Sequence, residues 1–545
     1  MDERGHLESD RVIALRKQRK VLMLLLVVLL TAGLMRAFNV GHTLMYDEAW
    51  NSNTVADGAT GHTAPTRNSG VAPDNWFGNF YRHPPIYLSA GIAYAAVTGS
   101  GRYGASIALE ILSILSAIAL ALVIFLCGRD WFGDYAGLAA AFLFAVMPAS
   151  RMLDSLVKAE PLTLLFVMLF LLFFFRKKYW IAGLMLGLGL LTKEVAVFVP
   201  ATLVIFLLIK RRWPELKGFG ISTVVAIAVS FWWYVFLSST SGEFADFFFG
   251  RSAESAVWHR SWRFYLTRIP SDWGWPLLIM LLLGAGLLLF VKKAGVGERR
   301  SGFSRREHAE FALLAVVFIY ALLSLSYGKP PWMIYSALPI AALLGGWALV
   351  EAATRFAHGR VAVAAVLVVL AIALGLSIPV SFGAFIKKAD VTYVPSTNDR
   401  ATAEYVNEKA GGKGTMMLKL SDLSPSIAFY LESYRPGSMV KVPPVGRATG
   451  SAVGRKYSLY LLYEDTTAQG LGNNIRNIGP RYVLVRDYTG RTSKSGEPFT
   501  ASDVSAIAPP SYTIGNTELF EGSKLVAPAG RPGRPGTRRP LGQSK

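Results

Sequence analysis

Eleven apolar runs, most of them bounded by short clusters of Lys and Arg, constrain this chain more than any other feature. They lie at 21–38, 104–127, 135–149, 161–175, 179–191, 195–209, 219–237, 275–291, 309–325, 332–351 and 361–386. A spanning helix needs about 20 apolar residues, fewer where a segment is re-entrant or the bilayer is thinned. A backbone placed in lipid must satisfy its polar groups internally, which for runs like these means helices. Charge agrees: 17% of the 545 residues are charged, against roughly 25% in soluble domains. The expected fold class is an α-helical polytopic membrane protein with about 11 transmembrane helices.

The net charge of +20 is not spread evenly. With a cytoplasmic N-terminus, residues 16–20, Arg129, residues 176–178, 210–212, 292–293, 299–300 and 305–306, and Arg355 with Arg360 all fall inside. That is the positive-inside pattern of loops facing anionic lipid, and it argues against nucleic acid as a partner. An odd number of spans then places the C-terminal region outside. Residues 1–20 are too long and too acidic for a signal-peptide n-region, and no small-residue cleavage site follows 21–38, so this run reads as a retained first span. The single cysteine, Cys127, excludes an intrachain disulfide and reads as packing. The expected location is a cell membrane, bacterial and inner, crossed many times.

The domain plan follows: a cytoplasmic segment 1–20, a membrane domain 21–386, an extracytoplasmic α/β domain 387–525 and a disordered basic Pro/Gly tail 526–545. Within the membrane domain, the first outer loop spans 39–103 and should carry interfacial helices, one of them started by Pro84-Pro85. The C-terminal domain is read from strand-like runs at 457–463 and 482–486 and a helical stretch at 401–410.

Chemistry concentrates on the outer loops. Asp47 and Glu48 stand a few residues past the first run, and Asp154 and Glu160 lie between the third and fourth. Carboxylates at a membrane face can act as a general base, orient a substrate hydroxyl or hold a divalent cation. The competing reading is solvated loop acids or helix caps, and at Glu160, directly before Pro161, capping is an equal alternative. The outward cations break the positive-inside pattern: Lys193 in a tight turn, Lys329 before Pro330-Pro331-Trp332, and Arg251, His259, Arg260 and Arg263 in the second large outer loop. They can converge on a phosphate at the lipid–water boundary, or snorkel to headgroups. His83 fits either a phosphate donor or an interfacial residue. The chain has no Asp-x-Asp pair, Walker loop, Gly-x-Gly-x-x-Gly after a strand, or zinc-spaced Cys/His set. A nucleotide-linked substrate therefore has no evident pocket, and an anionic lipid-linked one fits better. No cofactor is specified, although the two acidic loops have the chemistry for a divalent cation.

Five motifs then occur in the order of a known superfamily: residues 46–50 (Tyr46-Asp47-Glu48-Ala49-Trp50), 83–87, Leu153-Asp154-Ser155, Leu191-Thr192-Lys193, and Lys329-Pro330-Pro331-Trp332 through Pro339. Together they resemble the polytopic GT-C glycosyltransferases, specifically the family 39-like group of protein O-mannosyltransferases and lipid A aminoarabinose transferases. The resemblance implies inverting transfer of a sugar from a polyprenyl-phosphate donor to a protein, lipid or glycan acceptor outside the membrane. Asp47 would be the general base and Asp154 the second catalytic acid. Glu48, His83, Lys193, His259, Arg260 and Lys329 would bind substrate, with Lys193 near the donor phosphate. The chain departs from the pattern at Glu194, where the family commonly has Gly, and at His83, where a Lys often stands. A transporter or flippase is the rival from another class. It would place ionisable groups near the midplane, where Glu110 is the one exception to the outward distribution. A surface-binding scaffold built on the C-terminal domain is a third reading, and it leaves the loop charges unexplained.

Overall fold

The computed structural model describes residues 3–38, 40, 46–59, 84–99, 102–240, 260–290, 302–326, 329, 331–357, 359–380, 397–410, 414–419, 439–442, 457–462, 475, 480–486, 509–514 and 517–525. The chain forms two compact units that divide at Pro395/Ser396.

The first unit is helical. α1 (Glu3–Ala37), α2 (Tyr46–Ala59), α3 (Ile86–Thr98) and α4 (Arg102–Trp131) lead into α5 (Asp134–Val146), α6 (Pro148–Leu153), α7 (Glu160–Phe175) and α8 (Tyr179–Leu190). α9 (Phe198–Ile209), α10 (Trp213–Thr240), α11 (Phe264–Trp273), α12 (Trp275–Phe290), α13 (Arg305–Leu325), α14 (Leu338–Phe356) and α15 (Gly359–Ser377) follow. Six of the described helices are long and apolar enough to cross a membrane, and α11 with α12 would make a seventh if their 111° bend at Gly274 is one broken span. Gly274 sits at φ +78°, which favours glycine. Five further apolar helices have 10–17 residues.

Prolines set the boundaries that run lengths alone misplace. The run at 135–149 is not one helix: Met147 is extended (ψ 130°), because the residue before Pro148 is pushed out of the helical region. The run starting at 195 opens as a 3-10 turn, Glu194–Val197, and that at 332 as another, Pro331–Ala337, before Pro339 starts α14. α13 begins earlier than its apolar run, at a capping box between Ser304 and Glu307.

Small residues bring the helices close. A Cβ on Gly137 of α5 would lie 2.6 Å from the Phe125 carbonyl of α4, and one on Gly346 of α14 would lie 2.5 Å from Ala140 N of α5. Gly183 and Gly187 likewise seat α8 on α10. One end of this bundle is tied by Arg176–Asp130 (2.7 Å), Lys210–Glu310 (2.5 Å) and Arg212–Glu307 (2.5 Å). These pairs use cations from the clusters assigned to the inside.

The second unit, taken alone, carries α16 (Thr397–Ala410), strands β1 (Gly414–Lys419), β2 (Met439–Val442), β3 (Tyr457–Leu462), β4 (Tyr482–Arg486), β5 (Tyr512–Ile514) and β6 (Thr517–Glu521), and a final turn of helix, α17 (Gly522–Leu525). The sheet order is β2-β3-β1-β4-β6-β5. The first four strands run parallel, and β6 is antiparallel to both β4 and β5. Tyr405 of α16 stacks on Tyr512 at 4.1 Å. The strand-like runs and the helical stretch thus fall where the sequence pattern placed them. The tail 526–545 lies outside the described residues.

Candidate active site

The segment 154–160, between α6 and α7, is the hub of the other end of the bundle. Several chain segments converge on it, each through a side chain or backbone group far away in sequence.

α2 arrives first. The Val157 N–H donates to Glu48 Oε1 at 2.8 Å, and Asn51 Nδ2 donates to the Val157 carbonyl at 2.9 Å. One turn of α2 therefore satisfies both backbone groups of a single residue, Val157. Glu48 is fully buried. Asp47 precedes it in the first turn of the same helix, so its backbone is fixed beside the hub; its side chain lies outside the described residues.

The end of α1 arrives next. Arg36 Nε donates to Asp154 Oδ2 at 2.7 Å, and its Nη2 reaches the same oxygen and Ser150 Oγ. The remaining guanidinium nitrogen, Nη1, donates to the carbonyls of Ala32 and Ala145 at 2.9 and 3.1 Å. Both side chains of the pair are 0% exposed. Burial pushes the Asp154 carboxyl up to about 6, while Arg36 and the Ser150 hydroxyl pull it down. Asp154 Oδ1 is buried without a hydrogen-bond partner among the described residues.

The turn after α8 supplies Lys193, whose Nζ lies 2.7 Å from Glu160 Oε1, both side chains nearly buried. Glu160 is therefore an ion-pair partner and not the helix cap that its position before Pro161 allowed; Ala159 is the N-cap residue, with no side-chain cap bond. Ile86 N–H donates to the Leu191 carbonyl at 3.1 Å, which ties the start of α3 to the same turn. The 3-10 turn Pro331–Ala337 completes the ring: Lys158 Nζ lies 4.0 Å from the centroid of Trp332. Lys329, just before that turn, is buried and donates to the Ser326 carbonyl.

Of the residues read from sequence, Glu48, Asp154, Glu160 and Lys193 come to this hub. Arg260 is half-buried near the start of α11, and Arg263 is exposed with its guanidinium 5.1 Å from the Trp262 ring. His83, Arg251 and His259 lie outside the described residues. The sequence reading missed Arg36, Asn51 and Lys158. Lys158 carried the signal that selected Lys193, a lysine on an outer loop, and was passed over. Arg36 sits at a helix end, where arginine commonly snorkels, and only the fold reveals its partner.

Glu110, assigned to the interior of a span, belongs at this end too. Ser113, one turn further into α4, donates its Oγ to the Lys158 carbonyl at 3.0 Å, and Tyr87 lies 2.9 Å from the same hydroxyl. Among the described residues, no three His, Cys, Asp or Glu side chains gather to hold a metal ion. Glu160 and Asp154 are matched to cations, and Glu48 to a backbone N–H.

Long and short apolar helices thus form a bundle with a ring of acids and cations at one end, and comparison with known proteins shows which of them share this architecture. Residues 83–234 match the family model of dolichyl-phosphate-mannose-protein mannosyltransferases. By sequence the similarity is to aminoarabinose transferases. The chain is 29% identical over 300 residues to the undecaprenyl phosphate-alpha-4-amino-4-deoxy-L-arabinose arabinosyl transferase of Pseudomonas savastanoi pv. phaseolicola, covering 52% of this chain and 53% of that protein. The chain thus spans about half the length of the curated relatives it matches. The fold is that of ArnT from Cupriavidus metallidurans bound to undecaprenyl phosphate (TM-score 0.60, 15% identity, 93% of this chain and 99% of that one). The archaeal oligosaccharyltransferase AglB from Archaeoglobus fulgidus, in complex with an inhibitory peptide and a dolichol-phosphate, shares it at TM-score 0.55 (14% identity, 86% of this chain and 70% of that one).

Proposed function

We propose that this chain is a membrane glycosyltransferase that moves a sugar, as a pentosyl or hexosyl unit, from a polyprenyl-phosphate donor to an acceptor on the outer face of the membrane. The observation that carries the reading is the convergence of α2, the Lys193 turn and the Trp332 turn on residues 154–160. It sets an acid-bearing helix beside buried cations at a single end of the bundle.

The chemistry follows from what such a transfer needs. The acceptor hydroxyl or amine attacks C1 of the sugar from the side opposite the phosphate, inverting it. Asp47, on the helix that Glu48 anchors, takes the acceptor proton. The C1–O bond to phosphate breaks, and lysines of the ring offset the charge left on the departing lipid phosphate. Glu48 acts by holding α2 in place, and Asp154 by fixing the 150–154 segment through Arg36. In this reading the six long helices, the bent pair and four of the five short helices are the eleven spans. The end rich in Arg176, Lys210 and Arg212 faces the cytoplasm, and the second unit is an α/β domain outside it.

A transporter would need charges on broken helices near the midplane. Glu110 was the residue that favoured one, but it lies within α4, a helix that runs unbroken from Arg102 to Trp131. The test is turnover of a panel of polyprenyl-phosphate sugars by purified protein in lipid, with and without chelator. Asp47→Asn should lower turnover by about 10²–10⁴-fold, the usual contribution of a general base, with an unchanged unfolding temperature. Full activity in a folded Asp47→Asn protein would remove Asp47 from this role.

A further inference from the structure

We propose that the turns after α7 and α9 form a binding site for anionic phospholipid headgroups, with Lys177 and Arg211 supplying the charge. The proposal does not depend on the transfer reading above.

The two turns repeat one pattern. Residues 176–180 read Arg-Lys-Lys-Tyr-Trp, and residues 210–213 read Lys-Arg-Arg-Trp. Both close their helix in the same way. The N–H groups of Lys177 and Lys178 donate to the Phe174 and Phe173 carbonyls, both at 2.9 Å. Those of Arg211 and Arg212 donate to the Leu208 and Leu207 carbonyls at 3.1 and 2.9 Å. Such a helix end puts one residue in the left-handed region, where glycine is the usual occupant. Here that residue is Lys177, at φ +59°, and Arg211, at φ +53°, the two non-glycine residues of positive φ among those described. The chain uses glycine for this task at the end of α3, where Gly99 has φ +62°. A Cβ in this conformation costs stability. Keeping a basic side chain there, at both turns, calls for a compensating role that glycine cannot fill.

That role is not an internal ion pair. The flanking cations are matched within the protein, Arg176 to Asp130, Lys210 to Glu310 and Arg212 to Glu307. Lys177 and Arg211 are exposed and have no acid partner among the described residues. The two turns meet at Gly302: a Cβ there would lie 3.4 Å from Lys177 Nζ, and its carbonyl accepts from Arg212 Nη2 at 3.4 Å. Depth points to the ligand. Trp180 and Trp213, 63% and 57% exposed, follow the two turns, and exposed tryptophans mark the headgroup level of membrane helices. Two unmatched cations at that level fit the phosphate of a lipid better than one arriving from water.

Purified full-length protein in detergent is titrated with phosphatidylglycerol and with phosphatidylcholine, bound lipid being read by native mass spectrometry. Thermal unfolding is followed without lipid. Lys177→Gly/Arg211→Gly removes two charges and relieves both backbones. At about fivefold per basic residue, phosphatidylglycerol should bind about 30-fold more weakly. Phosphatidylcholine binding should be unchanged, and the lipid-free variant should unfold at a higher temperature than the parent. Lys177→Gln/Arg211→Gln keeps the strain, and should lose the same affinity without the thermal gain. Lys217→Gln/Arg360→Gln removes two other exposed charges of the membrane unit and should bind phosphatidylglycerol as the parent does. Unchanged phosphatidylglycerol affinity in the glycine variant overturns the proposal. So does an equal loss in the Lys217/Arg360 variant, which marks diffuse attraction. Displacement of phosphatidylglycerol by an equal concentration of inorganic phosphate would assign the site to a soluble anion and overturn the lipid reading.

Discussion

Replacing Arg36 by Met should destabilise the protein by about 3–5 kcal/mol near neutral pH, the cost of removing one partner of a buried ion pair. The structure explains why the upper part of that range applies. Both side chains are completely buried, and Arg36 makes two contacts to Asp154, one to Ser150 Oγ and two to backbone carbonyls. Without Arg36, the side-chain partner left to Asp154 among the described residues is the Ser150 hydroxyl at 2.9 Å. The pH dependence has a definite sign. The Asp154 carboxyl already stands at about 6, above its ordinary 3.8, because burial outweighs the pull of Arg36. Its ionised form therefore costs the folded state stability above about pH 4, fully so above 6, and acidification relieves that cost. Removing Arg36 raises the carboxyl further, so the penalty of Arg36→Met should shrink as pH falls from 7.5 to 5.5. The double variant Arg36→Met/Asp154→Leu removes the orphaned charge and should regain most of the loss, since apolar replacements of buried pairs are often neutral. The assay is thermal unfolding of the detergent-solubilised protein across that pH range. A penalty that is the same at every pH, together with a double variant no more stable than Arg36→Met, would refute the reasoning.

Glu48→Ala should leave the Val157 N–H unsatisfied, costing about 1–3 kcal/mol, and should lower transfer by loosening α2; Glu48→Gln keeps an acceptor oxygen and should retain most activity, as initial-rate measurements would show. Gly346→Ala should lose folded protein in size-exclusion chromatography, because its Cβ would meet backbone atoms of Ala140 and Ala136 at 2.5 and 2.7 Å, whereas Gly286→Ala, with nothing within 4 Å, should be tolerated.

Each of the eleven apolar runs contains a described helix, because in lipid the backbone has few alternatives to helix. What the runs concealed were the interruptions. Pro148 and Pro339 were in plain view, and the rule for residues before proline would have broken the run at Met147. The site was partly legible. The acids and Lys193 stood out because an ionisable residue near lipid needs a reason. Their partners did not, because Arg36–Asp154 and Glu160–Lys193 join residues 118 and 33 positions apart, and nothing local encodes such pairings. Glu110 shows the same limit: its depth depends on which part of α4 lies level with the 154–160 hub.

That depth bears on how, in the proposed transfer, a membrane-bound donor would meet its acceptor. α8 has 12 residues and α7 has 16, so they rise only about 18 and 24 Å, short of a hydrocarbon core of about 30 Å. Glu160 and Lys193 sit at the hub ends of these two helices. The neighbouring helices run on. Tyr234 of α10 reaches the Leu190 carbonyl at 3.0 Å, and α10 continues six residues further to Thr240, about 9 Å. Ser113 of α4 is level with Lys158, and the helix extends eleven residues beyond it to Arg102, about 16 Å. The charged ring is therefore recessed below the ends of its longer neighbours. A polyprenyl phosphate whose tail stays in the bilayer could reach such a ring without leaving the lipid, while a water-borne acceptor would have to come down to it. In the transfer proposed above, α2 and α3 would border that descent, and the geometry assigns donor choice to the ring and acceptor choice to the segments that flank it.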